Sequence, residues 1–139
     1  MPVQEQEPLT ANDLAARVRP IRVVLVDTSH PGNIGAAARA MKTMCLERLW
    51  LVRPATHPSA EASARASGAA DLLHEAGVCD TLEEALHGCG FVVGASARQR
   101  SLPWPLLAPR ACAERAVAEA AGGEVALLFG NEQSGLSNE

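Results

Sequence analysis

Residues 28–39 read TSHPGNIGAAAR, with an apolar run before them and further small apolar residues after. This order predicts a strand passing into a helix through a glycine-bearing turn. Three occupants compete for such a turn: a phosphate of a dinucleotide cofactor, a piece of a nucleic-acid substrate, or nothing beyond the tight geometry of the connection. A dinucleotide fingerprint requires G-x-G-x-x-G and an acidic residue near the end of the second strand to hold the ribose. Here the glycines are only Gly32 and Gly35, and the second strand closes on Arg53-Pro54. That pattern disfavours NAD and leaves a phosphorylated dinucleotide open. Arg39 is the more informative side chain. It lies one turn beyond Gly35 and about 140° round the helix from Ile34, so it avoids the core stripe. Helical side chains lean toward the amino end. The guanidinium is therefore expected to cross the bare surface of Gly35 and meet whatever sits at the helix start, where free N–H groups favour an anion. The competing reading is a solvated arginine beside a tight turn.

Two further loops leave apolar runs with distinctive chemistry. In GASARQRSLPWP, residues 94–105, small residues stand at the strand exit, followed by Arg98 and Arg100 and then by Trp104 between two prolines. Small residues let a flat ligand approach the backbone, and arginines with an indole suit phosphates and unstacked bases. Trp104 anchoring the loop to the body is the alternative. In LLFGNEQSGL, residues 127–136, a run leads into Gly130, a polar trio and Gly135, which puts the Glu132 carboxylate at the strand mouth.

The elements that must position these loops follow from hydrophobic patterning. Strands are expected at residues 21–26, 49–52, weakly around Val78, at 91–95 and at 125–129. Their runs are apolar without alternation, as in parallel strands covered on both faces. Between them, residues 33–44 place Ile34, Ala37, Ala38, Met41 and Cys45 on one helical stripe. A helix over residues 59–67 stops at Gly68, and TLEEALHG has Thr81 and Glu84 in capping-box spacing. PRACAERAVAEAAGG opens with Pro109 at a first-turn position. A short helix capped by Thr10 is expected within a polar, loosely attached leader, residues 1–20. The alternation implies an α/β fold with a parallel sheet between helical layers over residues 21–139. Ligands in such a fold collect beyond the carboxyl ends of the strands.

Composition narrows the function classes. With 139 residues, 47% hydrophobic and 3% aromatic, the chain fills one core, from aliphatic residues and alanine. A net charge of −4 excludes nonspecific coating of nucleic acid while allowing a local basic patch. No apolar run is long enough for a membrane span, and the acidic start MPVQEQEPLT lacks the form of a secretion signal, so the cytoplasm is the expected compartment. Cys45, Cys79, Cys89 and Cys112 form no C-x-x-C pair, and His30, His57, His74 and His87 show no ligand spacing. The cysteines read as small buried thiols, and no metal is expected.

Taken in order, TSHPGNIGAAARAMKTM, SARQRSLPWP and LLFGNEQSGLSNE closely resemble segments of the SPOUT-class RNA 2′-O-ribose methyltransferases, from about Ile21 to the last residue. The resemblance implies an α/β-knot fold with a trefoil knot, a homodimer, S-adenosylmethionine as methyl donor, and tRNA as substrate. The target would be the ribose of the first anticodon-loop nucleotide, a cytidine or uridine. Carried onto matching positions, it assigns Arg39, Asn33 and Glu132 to catalysis. It assigns Ala95, Ser96, Ala97, Gly130, Gly135 and Leu136 to the cofactor, and Gly35, Arg98 and Arg100 to the substrate. The family's serine-leucine-asparagine-leucine segment would follow a little beyond Glu139, and GLSNE reads as the opening of a helix. The expectation is thus an amino-terminal piece of the enzyme, truncated before the knot. An NADP-dependent oxidoreductase of Rossmann type and a nonenzymatic RNA-binding or dimerisation fragment remain as rivals.

Overall fold

The computed structural model describes residues 10–55, 57, 60–95 and 108–130. Five strands form one all-parallel sheet: β1 (Ile21–Val26), β2 (Arg48–Val52), β3 (Gly77–Cys79), β4 (Cys89–Gly94) and β5 (Glu124–Phe129), in the spatial order β3-β2-β1-β5-β4. The helices are α1 (Ala11–Val18), α2 (Pro31–Thr43), α3 (Ala60–Ala66), α4 (Ala70–His74), α5 (Leu82–Leu86) and α6 (Pro109–Ala120), with a 3₁₀ turn, Ser67–Ala69, between α3 and α4.

Connection direction decides which face each helix covers. The steps β1 to β2, β2 to β3 and β4 to β5 all cross the sheet the same way, so right-handed crossovers put their helices on one face. Residues of α2, α3, α4 and α6 accordingly share one core with Ile21, Val23, Leu25, Leu49, Leu51 and Val125. The step from β3 to β4 runs back over the sheet and places α5 on the other face, where Ala85 packs with Val24, Val26, Val52, Ala126 and Leu128. The two helical layers are therefore unequal. Strand β1 is buried nearly throughout, β2 and β5 are mostly buried or half-buried except for the exposed Phe129, and edge strand β4 alternates and leaves Val92 42% exposed.

Local chemistry sets the helix ends. Thr10 caps α1 in a capping box with Asp13, and Val18 at the far end packs against the main core. Thr81 caps α5 by accepting from the Glu84 amide, but the Glu84 carboxylate takes the Thr81 hydroxyl proton rather than the cap amide. Helix α2 starts two residues ahead of the expected position because Pro31 occupies its first turn. It ends in a Schellman arrangement: the Leu46 amide donates to the Met41 carbonyl at 2.9 Å, and the Cys45 amide to Lys42 at 3.2 Å. Cys45 therefore holds φ +63, a conformation glycine fills without strain. Helix α3 ends at Ala66, close to the expected stop at Gly68, because Ser67 turns left-handed at φ +54. The chain tightens into the 3₁₀ turn and continues as α4, which buries Leu72 and Leu73.

The tightest packing joins α2 to α3. A Cβ on Gly35 would overlap the Ala62 carbonyl oxygen and lie 2.9 Å from the Arg65 Cβ, so only glycine lets these backbones meet. A second device holds the strand ends. Asp27 closes β1 at φ +55 and Arg53 closes β2 at φ +48. Their side chains form a forked ion pair at 2.9 and 3.3 Å, and Arg53 also donates to the Asp80 carbonyl beyond β3 at 2.8 Å. The Ala55 amide donates to Thr28, tying the loops after β1 and β2.

Three outcomes follow. Gly35→Ala is expected to lower stability by about 1–3 kcal/mol, read as a shift in the urea midpoint, because the helices must separate. Cys45→Gly is expected to raise that midpoint, by about 0.5–1 kcal/mol, through relief of the left-handed backbone. Arg53→Ala is expected to leave the urea midpoint close to that of the unaltered protein, since the pair is half exposed and screened by solvent. The same variant should speed hydrogen exchange at the Ala55 amide, and unchanged exchange there would show that the pair holds nothing in place.

Candidate functional site

At the carboxyl edge of the sheet the exits of β1, β5 and β4 stand side by side. Leu25 is level with Phe129, and Gly94 with Leu128, so the turn into α2, Gly130 and Ala95 follow at neighbouring positions. Adjacent parallel strands are about 4.8 Å apart, so the edge from β1 to β4 spans about 10 Å. This is where the sequence expects its three loops to gather, and their first residues do gather there. The Ala95 amide donates to the Leu128 carbonyl at 2.8 Å, extending the ladder to the mouth of β4. Gly94, Ala95 and Gly130 are small, and the 42% exposed Phe129 ring stands beside them at the end of β5.

On the β1 side, Asn33 lies exposed in the first turn of α2, its amide donating to the His30 carbonyl at 3.0 Å. His30 stands at the cap position without a side-chain cap on the helix. Arg39 is exposed; its carbonyl accepts from the Thr43 hydroxyl at 3.1 Å, while its guanidinium makes no hydrogen bond or ion pair with the described residues. The path expected for its guanidinium is corrected by the packing. The surface of Gly35 is not bare but filled by Ala62 and the Arg65 Cβ, so Gly35 is a helix-packing residue and nothing of Arg39 can lie in that contact. Ser96, Ala97, Arg98, Arg100, Glu132, Gly135 and Leu136 lie outside the described residues.

In the sequence Arg53 stands where a ribose-binding acid would be and leaves a phosphorylated dinucleotide open. The structure gives it a structural partner, and the hydrogen bond and charge of Asp27 raise the guanidinium pKa further above its already high value. Residues 26 apart leave no local sequence signal of such a pair. The expectation of uniformly buried thiols also needs correction. Cys79 is buried, whereas Cys45, Cys89 and Cys112 are intermediate, and all four are free. Burial raises the Cys79 and Cys89 thiol pKa values, which keeps both protonated at neutral pH. Among the described residues no cluster of His, Cys, Asp and Glu is suited to hold a metal, and no helix is long and apolar enough to cross a membrane.

An edge of small residues beside an arginine-bearing helix can admit a flat, anionic ligand and place it against that helix. Known proteins with such a chain are numerous. The tRNA (cytidine/uridine-2′-O-)-methyltransferase TrmJ of Escherichia coli (strain K12) is 59% identical over 119 residues, covering 86% of this chain and 48% of that protein. The solved structure of a methylase family protein from Haemophilus influenzae Rd KW20 superposes with a TM-score of 0.80 at 45% identity, covering 87% of this chain and 51% of the other. TrmJ from Z. mobilis ZM4 superposes at 0.76 with 36% identity, covering 84% and 52%. The chain spans about half the length of the curated relatives it matches. The model of the SpoU rRNA Methylase family matches residues 20–139, nearly the whole chain, and the protein belongs to that family.

Proposed function

We propose that this chain carries the donor-facing and substrate-facing part of an S-adenosylmethionine-dependent tRNA 2′-O-methyltransferase. Its target is the ribose of the first anticodon-loop nucleotide, a cytidine or uridine. The observation that carries the reading is the 59% identity to TrmJ proteins, combined with the convergence of the β1, β4 and β5 exits on one edge. The trefoil knot, a homodimer and action on cytoplasmic tRNA belong to the same reading.

The residues present fit the donor in one respect: Gly94, Ala95 and Gly130 offer backbone at adjacent strand mouths, where a flat adenine ring needs close approach. When bound there, S-adenosylmethionine supplies an electrophilic methyl group. Ser96, Ala97, Gly135 and Leu136 complete the donor side in this reading, and Arg98 and Arg100 the substrate side. The acceptor hydroxyl must be aligned and must lose its proton. The guanidinium group is by its chemistry a poor general base at neutral pH, so Arg39 is not the proton acceptor in this reading. Its role here is to clamp substrate phosphate and to stabilise the charge that grows on the 2′-oxygen. Asn33, at the start of the same helix, orients the ribose, and Glu132 is assigned to the proton or its immediate partner.

Arg39→Ala is expected to reduce kcat for tRNA methylation on the order of 100-fold or more while donor affinity stays unchanged. An unaltered kcat at saturating tRNA removes Arg39 from this role. Calorimetry should show binding of S-adenosylmethionine and none of NADPH, and the reverse result would favour the oxidoreductase.

A further inference from the structure

Ten Lys and Arg side chains fall among the described residues, and eight have an evident partner. Arg19 faces Glu47, Lys42 Asp71, Arg48 Glu124, Arg53 Asp27, Arg110 Glu114 and Arg115 Glu119. Arg22 stacks on Trp50 and donates to the Ala85 carbonyl. Arg17 acts electrostatically on Asp13. The two left over are Arg39 and Arg65, both exposed, and neither guanidinium makes a hydrogen bond or ion pair with the described residues.

These two are neighbours by construction. The Arg65 Cβ stands 2.9 Å from where a Gly35 Cβ would be, and Arg39 follows Gly35 by one turn on the same face of α2. Four residues of helix advance about 6 Å, so both stems rise from one patch of the α2–α3 junction. Arg65 holds the more forward place, since Gly35 is nearer than Arg39 to the start of α2 and hence to the strand exits. In a chain of net charge −4, two adjacent guanidiniums with no partner among the described residues mark a local anion-binding surface.

We infer that Arg65 is a second RNA-phosphate contact, working beside Arg39 on the α2–α3 surface. The inference rests on the RNA-directed reading above and extends it to α3, a helix with no functional motif of its own. The ligand class is a phosphodiester backbone. Arg65 binds by charge and forked hydrogen bonds, and it takes no part in methyl transfer.

The test uses this chain with an unmodified tRNA transcript, measuring affinity across a salt series. Arg65→Ala should weaken binding roughly three- to tenfold near 0.1 M salt and reduce the slope of log K against log salt by about one. Arg65→Lys should keep the slope, and Arg39→Ala combined with Arg65→Ala should lose about two units of it. Wild-type affinity and slope in Arg65→Ala would overturn the inference, as would no measurable RNA binding by the unaltered chain. If Arg65 only supports the end of α3, Arg65→Ala lowers the urea midpoint and leaves the salt slope alone, which also overturns it. Donor calorimetry on the same samples separates the two readings. Donor bound with an unmoved salt slope leaves the methyltransferase reading standing and removes Arg65, whereas a moved slope without donor binding does the reverse.

Discussion

Strand β1 is hydrogen-bonded on both sides, to β2 and to β5, and its residues face two separate cores. Every other placement in the molecule depends on that double pairing. A parallel ladder buried on both faces cannot slip by one residue without turning Val23 and Leu25 toward the wrong core and leaving backbone groups unpaired. Because β5 keeps strict register with β1, and β4 with β5 past one irregularity near Cys89, three strands end in line. The loops that carry chemistry start from that line.

A second constraint acts at the ends of β1 and β2, where Asp27 and Arg53 sit in left-handed backbone conformations that cost about 1 kcal/mol or more each. The forked ion pair and the bond from Arg53 to the Asp80 carbonyl hold that geometry. The result is a fixed point of departure for the turn into α2. At the opposite end of that helix, the Schellman turn through Cys45 redirects the chain into β2. The helix is thus held at both ends and, through Gly35, along its flank by α3. A rigid α2 matters to the proposed role of Arg39, because an electrostatic clamp stabilises charge only if its donor is already in place.

The uneven covering of the sheet has a simple origin. Three crossovers step in one direction and a single one returns, so right-handedness gives one face four helices and the other only α5. The exposure of Val92 on the edge strand is a consequence of that imbalance.

The sequence by itself determined the strands, their parallel arrangement and the existence of a βα edge carrying Asn33, Arg39, Ala95 and Gly130. Unbroken apolar runs, alanine-rich spacers and cap residues act within a few positions of one another, so their signals are local. It missed α4: α3 ends at Ala66 near the expected stop, Ser67 turns left-handed, and a 3₁₀ turn leads into a second short helix because Leu72 and Leu73 have a core to fill. Tertiary structure alone decided three matters: that α3 occupies the face of Gly35, that Arg53 pairs with Asp27, and that Arg65 comes to lie beside Arg39. Each joins residues more than 20 positions apart through packing or charge, and contacts of that range leave no periodicity for a sequence to display.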